Sequence, residues 1–296
     1  MIPFRTSRGR LSNLAPVAWL AVALYVAFLL FPVGHALFLS LTDRRMLFNE
    51  YDFIGLDNYR ALPGDSRLVA SLQFSLTVVV SVTLASNVLG IAFAVLLNRP
   101  TPAFRLMRTL VFIPQVLSGV IVGFMWQTIL APNGILNVTL VDLGLVDQPV
   151  NWLGDSTLAT IAICFVVSWT TIAFTTVIYS AGLQAIPTEL YEAAKIDGAN
   201  RIQAFTRITF PMLASALTIS VTLSLIITLK LYDVIVVLTG GGPANSTRST
   251  AFHLVWVAFE QGRAGQASAV AMLLLAITAV VAYLTTSLLR RREVRL

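Results

Sequence analysis

The 296-residue chain is 57% hydrophobic and 11% charged, against about 25% charged residues in a soluble domain. That balance excludes a globule solvated on all sides and points to a polytopic helical membrane protein. The net charge of +6 is not a nucleic-acid signature, because 18 of the 20 basic residues are arginines scattered through short loops.

A spanning helix takes about 20 mainly apolar residues. Six stretches supply them: roughly Leu14–Leu41, Ser71–Leu97, Leu110–Ala131, Leu158–Ala181, Met212–Thr239 and Gly265–Leu289. An all-α fold with six transmembrane helices is therefore expected. Arg5, Arg8 and Arg10 precede the first stretch as they would in a signal peptide. Its apolar run is longer than an h-region and no small-x-small site closes it before Thr42 and Asp43, so a retained helix is the expectation. Cys164, the only cysteine, lies in the fourth stretch, which rules out an intramolecular disulfide and a cysteine-based metal site and predicts an inert, buried thiol.

Basic residues in short loops mark the cytoplasmic side. Arg5, Arg8, Arg10, Arg99, Arg105, Arg108, Lys195, Arg201, Arg207, Arg290, Arg291, Arg292 and Arg295 fall on the side of the termini, making 13. Arg44, Arg45, Arg60, Arg67, Arg248 and Arg263 make 6 on the other. The loop Pro132–Thr157 has no Lys or Arg but holds Asp142, Asp147 and Asp155. Both termini are thus expected in the cytoplasm. Trp126, Trp152 and Trp256, near the predicted span ends, read as interfacial anchors.

Between the fourth and fifth spans lies a polar island on that same side. Ile186–Lys195 reads as a short helix, with Pro187 suited to its first turn and Ala193 and Ala194 strong helix formers. Gly198 falls where the helix stops and the chain turns through a position open to φ > 0. The small alanines would let a partner surface approach, and Glu192 and Asp197 would offer it carboxylates. An ordinary amphipathic helix resting on the membrane face would read the same way.

The chain carries little catalytic vocabulary. No Gly-x4-Gly-Lys-Ser/Thr occurs, and Gly240-Gly241-Gly242-Pro243 lacks the lysine. His35 and His253 stand without neighbouring metal ligands in sequence. Ionisable groups inside a span, by contrast, point to function by default. Lys230 and Asp233 in the fifth span are spaced i, i+3, which on a helix places them on one face and within pairing reach. Ser224 and Thr228 precede them. In the fourth span Trp169, Thr170, Thr171 and Phe174 mix aromatic faces with hydroxyls, as a sugar site does. Hydroxyls that bond their own helix give the same pattern.

Glu192-Ala193-Ala194, Gly198, Ile208 and Pro211 resemble the EAA loop of permease subunits of binding-protein-dependent ABC importers, with Phe210 in place of the usual Leu. Phe53-Ile54-Gly55-Leu56-Asp57-Asn58-Tyr59 resembles the first external loop of the carbohydrate-uptake type, such as the maltose and glycerol-phosphate permeases. Tyr232-Asp233 with Leu238-Thr239-Gly240-Gly241-Gly242-Pro243 is similar to the end of their fifth span. The resemblance implies a single permease domain of the type I importer fold, with a coupling loop at 182–211. In it Glu192, Ala193, Ala194, Asp197 and Gly198 would engage an ATPase, and Trp169, Thr170, Thr171, Phe174, Ser224, Thr228, Lys230 and Asp233 would line the solute path. It implies as partners a second related permease, two copies of an ABC ATPase that binds ATP and Mg, an extracytoplasmic solute-binding protein and the lipid of a prokaryotic cell membrane, with no nucleic acid. The chain itself would hold no cofactor and no metal, and would be no enzyme. Its solute would be a sugar, oligosaccharide, polyol or glycerol phosphoester. An ion-coupled secondary transporter using Lys230 and Asp233 is the alternative.

Overall fold

A computed structural model describes residues 15–48, 50–98 and 101–291. Arg5, Arg8, Arg10, Arg99, Arg292 and Arg295, which carry part of the orientation expectation, lie outside the described residues. Five described helical segments are long and apolar enough to cross a membrane, and a bent pair makes a sixth. The chain packs as two compact units, one of residues 15–62 and 256–272 and the other of residues 63–255 and 273–291.

The first unit contains α1 (Ala15–Tyr25) and α2 (Phe31–Leu39), joined by a π-helical turn at Val26–Leu30, so the first span is continuous in path. The segment resembling the external loop of carbohydrate permeases closes its end. Gly55 takes φ +60, and Asp57–Ala61 forms a short helix, α3. From α3, Asn58 Nδ2 donates to the Ser40 and Thr42 carbonyls, both at 2.8 Å. Tyr59 Oη lies 2.7 Å from Ser40 Oγ. Asn58 thus satisfies carbonyls that the end of α2 leaves without helical partners, and Tyr59 pairs with the Ser40 hydroxyl beside them.

The second unit is built on α4 (Ser66–Leu96) and α8 (Ser156–Gln184), unbroken helices of 31 and 29 residues. At 1.5 Å per residue each is over 40 Å long, roughly a whole bilayer with its headgroups. Both start on an aspartate. Asp65 accepts from the Arg67 and Leu68 amides at 3.0 and 3.1 Å, and Asp155 from Thr157 and Leu158 at 2.8 and 2.9 Å. These caps satisfy orphan donors at the helix starts and set an anion on the positive end of each dipole. A continuous core of Val82, Val122, Ile163, Val166 and Ile235 joins them to the neighbouring helices.

Two predicted spans differ from the straight helices expected. The third is α5 (Pro102–Val116) and α6 (Gly119–Leu130), interrupted at Leu117 and Ser118, whose backbones are extended. Pro114 near the end of α5 removes a backbone donor, and Ser118 restarts the chain as the cap of α6, accepting from the Ile121 amide at 3.4 Å. The fifth is α12 (Ala214–Leu229) and α13 (Asp233–Leu238). Tyr232 between them has φ −136 and ψ −57, outside the helical region. The helical segment Arg201–Met212, which ends in α11 (Phe210–Met212), enters α12 through a 64° bend. The last span is α15 (Ala264–Arg290), which contributes to both units.

Candidate functional site

The polar island folds as α9 (Thr188–Ile196), with Glu189 in its first turn and Lys195 in its last, each favoured by the helix dipole. The stop is a Schellman motif. The Ala199 amide donates to the Ala194 carbonyl at 2.9 Å, the Gly198 amide to Lys195 at 3.2 Å, and Gly198 takes φ +75. A capping box at Asn200 and Gln203 then starts α10 (Arg201–Ala204), with both hydrogen bonds at 2.9 Å. The Asn-x-x-Gln spacing was readable in the sequence. Glu192, Ala193, Asp197 and Gly198 are exposed and Ala194 half-buried. Ile196 and Ile202 stand 87% and 74% exposed beside them. The helix thus carries apolar and acidic side chains exposed side by side.

The predicted solute-path residues separate into three groups. Lys230 and Asp233 do not share a helix face, and no ion pair joins them. The physical reason is the break. Lys230 ends α12, where the dipole favours a cation, and Asp233 begins α13, where it favours an anion. The Asp233 carboxylate accepts from the Val234 amide at 2.9 Å and lies over the start of α6, where a Cβ added to Gly119 would overlap its Oδ2. One turn on, a Cβ at Gly123 would meet Val237 Cβ at 2.8 Å. Gly119-x-x-x-Gly123 is thus a small-residue face that brings the two broken spans together. That spacing was present in the sequence and unread.

Ser224 and Thr228, by contrast, are 0% and 2% exposed, with Ser224 Oγ 3.5 Å from Asn87 Nδ2 of α4, so burial excludes them from solute contact in this conformation. In the fourth span Thr170 and Thr171 donate to the Val167 carbonyl at 2.9 and 2.7 Å, which directs both hydroxyls into their own helix. Trp169 and Phe174 are half-buried. Trp169 packs edge-on against Trp126, with centroids 5.7 Å apart, and Trp126 against Phe165 at 5.2 Å. Trp126 is therefore part of an aromatic cluster rather than an isolated anchor. Trp152 likewise donates its Nε1–H at 3.1 Å to Oδ1 of Asn137, which is buried in α7 (Ile135–Asp142).

The glycine-rich segment after α13 turns on Gly240, Gly241, Ala244 and Asn245, all at positive φ. Ser249 returns from it to donate to the Leu231 carbonyl at 2.6 Å, satisfying a backbone group that the break in the fifth span frees. Next comes α14 (Thr250–Val255), where His253 is fully buried with Nε2 3.3 Å from Asp65 Oδ2. Burial holds this imidazole below its ordinary pKa. Asp65 opposes the shift, and Arg248 and Arg67 reinforce it. No cluster of three metal-ligating side chains occurs among the described residues.

Residues 86–294 match the family described as binding-protein-dependent transport system inner membrane component. The chain is 34% identical over 269 residues to the probable starch degradation products transport system permease protein AmyD of Thermoanaerobacterium thermosulfurigenes, covering 90% of each chain. It is 33% identical over 271 residues to the multiple sugar-binding transport system permease protein MsmF of Streptococcus mutans, covering 92% of this chain and 93% of that one. The fold matches a chain of a bacterial ABC transporter that imports the polysaccharide alginate, with TM-score 0.84 at 22% identity over 95% and 96% of the two chains. Nothing in these relationships favours the ion-coupled alternative. The chain belongs to the family of inner-membrane components of binding-protein-dependent transport systems: it is a multi-pass permease subunit, and the ATPase of such a transporter is a separate subunit.

Proposed function

We propose that this permease carries a sugar or related polyhydroxylated solute, delivered by an extracytoplasmic binding protein, through a pathway it forms with a second, related permease. Of two ATPase copies, holding ATP and Mg, one engages α9 from the cytoplasmic side and the other engages the second permease. Their closure on ATP rocks the permeases from inward- to outward-facing, and hydrolysis resets them. The observation that carries this reading is α9 itself. It is a helix stopped by a Schellman turn at Gly198 and presented with Glu192, Ala193 and Asp197 in the open. The sugar class is supported by the names of the similar permeases.

On this reading Glu192 meets a basic group of the ATPase, Ala193 and Ala194 permit close approach, and Gly198 sets the exit angle. The solute passes the junction of the two broken spans, where the exposed Lys230 and Asp233 supply charge and hydrogen bonds. Trp169 and Phe174 supply apolar faces on which a sugar ring stacks. Thr170, Thr171, Ser224 and Thr228 shape the walls from behind.

Co-purification tests the central contact. The ATPase is expected to come down with the wild-type chain and to be lost with Glu192→Arg. Uptake that persists in membranes depleted of the ATPase would sink the reading.

A further inference from the structure

A polar hub is buried where α4, α8 and α12 meet. Asn87 of α4 is 6% exposed, while Tyr179 of α8 and Ser220 of α12 are fully enclosed. Asn87 Oδ1 accepts from Tyr179 Oη at 2.6 Å and from Ser220 Oγ at 2.7 Å. Its Nδ2 donates to the Thr83 carbonyl at 2.8 Å and reaches Ser224 Oγ at 3.5 Å. Close by, Thr175 Oγ1 of α8 donates to the Ser86 carbonyl of α4 at 2.8 Å. Gly90 permits that approach, since a Cβ there would overlap Thr175 Oγ1. An amide inside a span is costly unless its groups are met. Here a single side chain ties three spans together.

The hub continues toward α9. Tyr179 places its ring in a buried cluster with Ala94, Leu183, Ile186, Leu213 and Ala216, while its hydroxyl holds Asn87. Tyr191 of α9, Ile208 and Met212 pack on the same cluster, and Tyr191 Oη lies 2.9 Å from Thr209 Oγ1. An unbroken chain of contacts thus runs from α9 to Asn87, past the 64° bend that precedes α12. Apolar packing alone lets helices slide, whereas directional hydrogen bonds shared by three helices fix their register.

We infer that Asn87, with Tyr179 and Ser220, is a positioning element that makes α4, α8 and α12 follow α9 as one body, so that motion of the ATPase reaches the broken spans instead of being absorbed at the bend. The inference rests on the reading that α9 docks on the ATPase.

The test uses the assembled transporter, cysteine-free elsewhere and carrying Cys164→Ala, with spin labels on Leu96→Cys and Thr188→Cys. Both positions are exposed, at the end of α4 and the start of α9, and neither is among the docking residues. With the hub intact, the label distance stays the same between the nucleotide-free and ATP–vanadate states. The double variant Tyr179→Phe/Ser220→Ala removes both donors to Asn87 Oδ1 with little change of volume. In it the distance shifts with nucleotide, and stimulation of ATP hydrolysis by the binding protein falls about three- to tenfold with basal hydrolysis unchanged. Asn87→Leu acts in the same direction and further; if it fails to assemble, the double variant decides. A merely structural hub would lower thermal stability and leave stimulation and distance alone, and that result overturns the proposal. So does a label distance that already moves with the hub intact. Absence of binding-protein stimulation in the unmodified transporter would instead overturn the reading beneath it, and that failure shows before any hub residue is changed.

Discussion

Two regions of the second unit handle the same problem, polar groups inside a membrane, in opposite ways. Where α4, α8 and α12 run side by side, the helices are unbroken, and polarity is gathered into side chains that bond one another around Asn87. At the junction of α5/α6 with α12/α13 the helices stop, and side chains must satisfy the released backbone: Ser118 at Ile121, Asp233 at Val234 and Ser249 at Leu231. The first region closes on itself and exposes no charge. The second leaves Lys230 and Asp233 exposed at helix ends. Broken backbone in a membrane is tolerated where protein covers it or where it lines a polar cavity. On the proposed reading, the first region is the transmitting part and the second the conducting part.

Several substitutions should deepen or erase that contrast. The largest effect is expected at the junction. Gly119→Leu places carbon where the Asp233 carboxylate lies, at a cost of about 1–3 kcal/mol for overpacking, and uptake should fall to background while α9 still retains the ATPase. Normal uptake by this variant would remove the junction from the path. In the transmitting part, Asn87→Ala leaves the buried Tyr179 and Ser220 hydroxyls without their acceptor. A loss of about 1–3 kcal/mol is expected in detergent unfolding, and an unchanged midpoint would show that the hub is not a clamp. Ser249→Ala, which uncaps the Leu231 carbonyl, should cost about 1 kcal/mol and reduce uptake more than stability. Equal losses in both would make the break a passive defect.

The smallest effect is a pH dependence at His253. Its folded-state pKa is lowered, chiefly by burial, so the unfolded chain takes up the proton more readily. Stability is therefore full above the unfolded value of about 6.5 and is lost as pH falls from there toward the folded value. The unfolding midpoint should drop between about pH 7.5 and about pH 5.5, and His253→Gln should flatten that drop. A slope that survives His253→Gln belongs to another group.

Much of this was legible in the residues. The helical membrane class was legible because bilayer thickness sets a minimum length that composition reveals, and five helical segments, or six with the bent pair taken as one span, meet it. The α9 stop was legible because Gly198 is one of the few residues at ease with φ +75. The break in the fifth span was not. No proline or glycine marks Lys230, Leu231 or Tyr232, and the interruption is stabilised by Ser249, remote in sequence. The i, i+3 reading of Lys230 and Asp233 failed with it, since that rule presumes an unbroken helix. Asn87 was passed over because one amide in an apolar run has no local partner, its donors being supplied by α8 and α12. His253 stood alone in sequence for the same reason, with Asp65 brought to it only by the fold.

The contact between α9 and the ATPase is most directly tested by cross-linking. A chain carrying Cys164→Ala and Ala193→Cys, in membranes containing the whole transporter, is treated with a short heterobifunctional reagent that joins the Cys thiol to a nearby amine of its neighbour. One principal adduct is expected, with the ATPase subunit, and it should disappear when Glu192→Arg is added. Adducts only with lipid-exposed or extracytoplasmic proteins, or an ATPase adduct indifferent to Glu192→Arg, would contradict the docking of α9.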